Sequence, residues 1–112
     1  MIPLENRLKR SGEIRDVIKK GKTFSSPAFF FRLKNNNLSV IRAGFVISSK
    51  AIKKAVLRNK IKRRAREIFR KLLPDLKGAF DMVFIFSNKS RDFEFKDLEL
   101  GMRTVLKRSG LL

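Results

Sequence analysis

The sequence predicts an α+β fold, and three observations carry that reading. Segments of helical period alternate with short β-branched and aromatic runs in the order αββαβα. A hydrophobic fraction of 43%, with eleven Phe, is enough apolar material for a core and separates the chain from a disordered polycation. At 112 residues there is room for one such core, so 1–112 reads as a single domain with short connections.

The elements follow in order. Ser11, then Glu13, Ile14, Val17 and Ile18, closed by Gly21, reads as a short amphipathic helix with a polar N-cap and a glycine stop. PAFFFRLK, Pro27 to Lys34, reads as a strand, and NNN at 35–37 as a turn. Ser39 to Ser49, SVIRAGFVISS, is a second strand, expected to pair antiparallel with the first as a hairpin. Lys54 to Leu73 has helical period and stops before Pro74, and Ala79 to Phe86 is a third strand. The last helix, Phe93 to Lys107, places Phe95, Leu98, Met102, Val105 and Leu106 on one face and ends near Gly110.

Charge sets the functional expectation. The chain has 28 Lys and Arg against 10 Asp and Glu, a net +18, which points to a polyanionic partner. With no Cys and no His, disulfides, thiolate nucleophiles, imidazole bases and most zinc or copper sites are excluded. The N-terminus MIPLENRLKR lacks an apolar segment of signal-peptide length, and the longest apolar run, Met82 to Phe86, is too short to span a bilayer. A soluble, cytoplasmic protein is therefore expected.

Half of the net charge lies in one segment. From Lys53 to Lys71 there are ten Lys or Arg against one acid, Glu67, a local +9. On a helical wheel Ile61, Ala65, Ile68 and Leu72 share a narrow arc, with Phe69 and Leu57 on its shoulders. Arg58, Asn59, Lys60, Lys62, Arg63, Arg64, Arg66, Arg70 and Lys71 occupy the remaining circumference. A merely solvated helix usually intersperses acids four residues from bases, since like charges at that spacing repel. Here the repulsion is uncompensated, which favours nucleic acid over an anionic membrane surface or a plain solvated face. Asn59, able to donate and accept, can read a base edge or a ribose hydroxyl where a cation cannot. No heptads follow, so a leucine-zipper basic region does not fit.

KKAVLRNKIKRRARE, Lys53 to Glu67, resembles the signature of the bacterial ribonuclease P protein family, an Arg-Asn-Arg motif followed by Ile-Lys-Arg. The resemblance extends to NRLKRSGEIRDVIKKG (Asn6 to Gly21), AGFVISSK (Ala43 to Lys50) and DMVFIF (Asp81 to Phe86), in order along most of the chain. It implies an αββ(β)αβα two-layer sandwich with a left-handed βαβ crossover into the basic helix, a fold shared with a ribosomal-protein domain. It also implies the non-catalytic protein subunit of a ribonucleoprotein endoribonuclease. That subunit binds the catalytic RNA and the 5′ leader of precursor tRNA, and assists leader removal by Mg²⁺ held mainly by the RNA. Arg58, Asn59, Lys60, Lys62, Arg63, Arg64 and Arg66 carry over as contacts to the catalytic RNA.

By the same resemblance, the leader cleft lies between the N-terminal helix and the sheet, at Ile14, Ile18, Phe30, Arg32, Lys50 and Lys53. Three departures stand out. Ile14 and Ile18 replace two helix Phe, Arg32 replaces a strand-end aromatic, and Lys60 replaces the motif's second arginine. Ser49 also stands at one lysine position of the loop before the basic helix. Strand alternation puts Phe30 and Arg32 on one face and Phe29 and Phe31 on the other, so Phe30 is the substitute for stacking.

Two other functions compete. A protein nuclease with carboxylate-held metal would have to draw on Glu13, Asp16, Asp81 and Asp92, which are far apart in sequence. A general basic RNA-binding, ribosomal or RNA-chaperone protein shares the charge without a role in cleavage.

Overall fold

The computed structural model describes residues 2–112. A four-stranded mixed sheet has helices on both faces. Helix α1 is Ser11–Lys20, strand β1 Lys22–Ser25, β2 Phe29–Asn35, β3 Arg42–Ile47, helix α2 Ala55–Leu72, β4 Phe80–Phe86 and α3 Phe95–Arg108. The spatial order is β1-β2-β4-β3, with β1 and β4 each antiparallel to β2 and β3 parallel to β4.

The α+β class is as the sequence predicts, but the expected hairpin between β2 and β3 does not form. Strand β4 lies between them. Its residues Asp81, Met82, Val83 and Phe84 are all buried, so both faces of the strand need cover, and only a central position provides it. The connection from Asn36 to Ile41 is long enough to step over the intervening strand. The hairpin that does form joins β2 to β1, a four-residue strand too short and polar to stand out in the sequence.

Alternation sorts the sheet into two faces. Phe29, Phe31, Leu33, Met82, Phe84 and Phe86 join Ala43 and Ile47 in the main core beneath α2 and α3. Phe84 stacks on Phe45 with ring centroids 5.4 Å apart and meets Phe31 at 4.8 Å and Phe29 at 5.6 Å. The other face carries Val83, Val46 and Ile85, which pack with Leu8, Val17, Ile14 and Ile18 under α1.

Helix α1 starts after Arg10, with no side-chain cap, so Ser11 is its first residue rather than its N-cap. Gly21 ends it in extended conformation. A Cβ there would fall 2.6 Å from the Val17 carbonyl oxygen, so the closeness of backbone to backbone requires glycine. The N-terminal segment runs along the outer edge of β3, where Leu8 N–H donates to Ala43 O at 2.9 Å and the Asn6 amide to Ile41 O at 2.8 Å. That contact covers an otherwise open sheet edge.

One corner is held by ions. Arg42 donates to Asp81 through Nε at 2.8 Å and Nη2 at 2.6 Å, and Nη2 also reaches Glu13 at 3.0 Å. Asp81, then Glu13, hold the Arg42 guanidinium above its already high pKa, against a cost of burial. Asp16 bridges Lys34 and Lys20. Thus α1 is tied to β2, β3 and β4 at the same end.

Asp81→Ala leaves Arg42 without its bidentate partner and should cost about 3 kcal/mol in urea unfolding, while Asp81→Asn, which keeps an acceptor, loses less. Unchanged stability of the Ala variant would show that the pair does not hold this corner. The Lys34 hydrogen bond, then that of Lys20, lowers the Asp16 pKa below its ordinary 3.8. Its stabilisation is therefore complete above that value and is lost as pH falls through the lowered folded value. The Tm drop between pH 6 and pH 3 should be smaller in Asp16→Asn than in the parent.

Candidate nucleic-acid interface

Helix α2 is seated by one stripe. Ile61, Ala65, Ile68, Phe69 and Leu72 are buried, Leu57 is half-buried, and the helix gives way at Leu73–Asp75 to a 3-10 turn containing Pro74. Asn59, Lys60, Arg63, Arg66, Arg70 and Lys71 are exposed, while Arg58, Lys62 and Arg64 are half-exposed. All seven motif residues thus lie off the buried stripe. Burying the four large apolar side chains contributes roughly 1.5–3 kcal/mol each. Each like-charge pair on the outer face costs only about 0.2–0.5 kcal/mol, so the stripe dominates.

The cations are not equivalent. Arg58 turns back, its Nη1 donating to Ile52 O at 2.7 Å and Lys53 O at 2.9 Å, and so fixes the loop that leads into the helix. Lys62 sits between Arg58 and Arg66, and its pKa is lowered first by desolvation and then by those two charges. Glu67 is paired with Arg70, whose Nη2 and Nε donate to the two carboxylate oxygens at 2.5 and 3.2 Å. This pair leaves Arg63 and Arg66 without an acid partner among the described residues.

The second part of the surface is the sheet face that α1 covers only in part. Phe30 lies opposite Ile85, and Ile85 opposite Val46, so the three form one row across β2, β4 and β3. Phe30 is 52% exposed, whereas Phe29 and Phe31 are buried, as strand alternation predicts. Ile14 and Ile18 line the same face from α1 but are half-buried against Val83, Val46 and Ile85. Arg32 reaches toward the end of α1, with Nη1 donating to Gly21 O at 3.4 Å. Lys50 and Lys53 are exposed on the connection from β3 to α2, and Ile52 anchors that loop in the core.

Sequence reasoning missed Val46 and Ile85 as the floor of this cleft. Their period of two was visible, but which strands are neighbours was not. It also missed Arg7 and Lys9, which line a groove with Arg63 and Arg66. Of the carboxylates weighed for metal-dependent cleavage, Glu13 and Asp81 hold Arg42 and Asp16 holds Lys34 and Lys20.

Fold and surface define a small basic α+β protein with its charge gathered on one docked helix beside a half-covered sheet face. The family profile described as Ribonuclease P matches residues 2–110. The ribonuclease P protein component of Clostridium botulinum (strain 657 / Type Ba4) is 35% identical over 108 residues, covering 96% of each chain. The RNase P protein of Staphylococcus aureus superposes with a TM-score of 0.85 at 29% identity, covering 95% of this chain and 96% of that one. That of Thermotoga maritima gives 0.81 at 30% identity, covering 91% and 96%. The chain belongs to the ribonuclease P protein family.

The like charges around Lys62 are a cost that the free protein bears. Lys62→Gln should raise the stability of the free protein by about 0.5 kcal/mol, the sum of two relieved i,i+4 repulsions, and weaken binding to RNA. Denaturant unfolding and RNA titration of the same variant check both signs.

Proposed function

We propose that this protein is the protein subunit of ribonuclease P, an endoribonuclease whose chemistry belongs to its RNA. The exposed face of α2, with Arg58, Asn59, Lys60, Lys62, Arg63, Arg64 and Arg66, binds the catalytic RNA. The cleft of Ile14, Ile18, Phe30 and Arg32, with Lys50 and Lys53 at its rim, takes the single-stranded 5′ leader of precursor tRNA. Phe30 offers a base an exposed ring, Ile85 and Val46 continue the apolar floor, and the lysines follow phosphates. The observation that carries this reading is a family member's basic helix, docked by one apolar stripe, with Arg63 and Arg66 on its outer face left without an acid partner among the described residues.

The Mg²⁺ that such cleavage requires would be held by the RNA. Of the carboxylates weighed for a protein-held site, Glu13, Asp16 and Asp81 are taken up by Arg42, Lys34 and Lys20, and among the described residues no three acids, Asp92 included, come together where they could hold a metal ion. The protein's part is to bind and position. No helix among the described residues is long and apolar enough to cross a membrane. The proposed place of work is the cytoplasm, with precursor tRNA.

Reconstitution tests the reading. Adding the protein to ribonuclease P RNA at low Mg²⁺ should accelerate leader removal, and the protein alone should cleave nothing. Arg63→Ala should weaken RNA binding more than the remote Lys107→Ala. It should also lower the slope of log K against log salt by about 0.9 for a duplex contact or 0.7 for a single-stranded one. Binding without stimulation would instead favour a general RNA chaperone.

A further inference from the structure

The loop between β3 and α2 has two separate fastenings. At its start Ala51 N–H donates to Ser48 Oγ at 3.1 Å and to Ser48 O at 3.2 Å, and Ile52 N–H donates to the same carbonyl at 3.2 Å, which closes a turn around Ser49 and Lys50. At its end Arg58 Nη1 donates to Ile52 O at 2.7 Å and to Lys53 O at 2.9 Å. Those two carbonyls belong to the peptide groups on either side of the Lys53 Cα. Each peptide group is planar, so holding both planes fixes the two dihedral angles between them, and with them the direction in which the Lys53 side chain leaves the backbone. Ile52, 3% exposed, roots the first plane in the core, while Lys53 itself is exposed.

Arg58 keeps a second edge. A guanidinium has five N–H donors, and Nη1 supplies the two that hold the loop. Nε and Nη2 form the edge through which Arg42 grips Asp81 and Arg70 grips Glu67. In half-exposed Arg58 no acid among the described residues engages that edge. It suits a phosphate, which it can meet with two parallel hydrogen bonds.

We infer that Arg58 aims Lys53: it is a positioning residue that takes a catalytic-RNA phosphate on its Nε–Nη2 edge and, through Nη1, sets the direction of the lysine that meets a leader phosphate. The inference rests on the proposed ribonuclease P role and adds to it a dependence of one RNA contact on the other. Arg58 acts on the leader only through Lys53. Lys50, carried by the turn that Ser48 closes, does not depend on Arg58 and provides the contrast.

Holoenzyme reconstituted with each variant, at protein concentrations that saturate the catalytic RNA, separates aiming from assembly. The readout is leader dependence, the ratio of the affinities for precursor and mature tRNA. Lys53→Ala should lower that ratio about threefold, the scale of one exposed ion pair. Arg58→Ala should lower it as much, and the double variant no further than either alone, because a lysine that is no longer aimed has little left to lose. When Arg58→Ala is combined with Lys50→Ala, the two losses should instead multiply. In the free protein, Arg58→Ala should lower the backbone NMR order parameters of Lys53 and Lys54 and leave those of Ser49 and Lys50 unchanged, with the remaining amide spectrum confirming the fold. Losses that multiply for Arg58 and Lys53, an unaltered ratio in Arg58→Ala, or unchanged order parameters would each overturn the aiming role. A parent holoenzyme without leader dependence would instead overturn the proposed leader contact, a failure that the order parameters of the free protein do not share.

Discussion

The structure depends on β4 being buried on both faces. Met82, Phe84 and Phe86 complete the core beneath α2 and α3, while Val83 and Ile85 need cover from the opposite side. The chain provides that cover with α1, a helix of ten residues, which is too short to extend over the whole face. What it leaves exposed is Phe30, with Ile85 and Val46 half-buried beside it in the same row. A half-open cleft beside α1 is thus the direct result of one apolar strand at the centre and one short helix above it.

The distribution of acids has the same economy. The sheet corner where α1 docks uses Glu13, Asp16 and Asp81 to neutralise Arg42, Lys34 and Lys20. On α2 only Glu67 is acidic, and it is engaged by Arg70. Neutralisation is spent where elements must be joined, and the outer face of α2 keeps its field. The apolar stripe makes this tolerable, since a few buried large side chains outweigh many weak surface repulsions.

Arg58 links the two parts of the surface. It lies on the basic helix, yet its Nη1 holds the carbonyls of Ile52 and Lys53 in the loop that presents Lys50 and Lys53 beside the sheet. Charge pattern could rank it only as another cation. Its position at the first turn of α2, within reach of the preceding loop, makes it a positioning residue as well.

By itself the sequence determined the α+β class, the buried stripe of α2 with its cationic remainder, and the separation of Phe30 from Phe29 and Phe31. Each of these follows from period, and period depends only on local backbone geometry. The tertiary structure decided the rest: β4 between β2 and β3, the floor from Val46 and Ile85, and the joining of Arg7 and Lys9 to Arg63 and Arg66 across a groove. Strand order is set by which strand most needs cover on both faces, and that competition among distant segments has no local signature. Even β1 was legible only through its partner, because a four-residue polar strand exists where β2 offers it an edge.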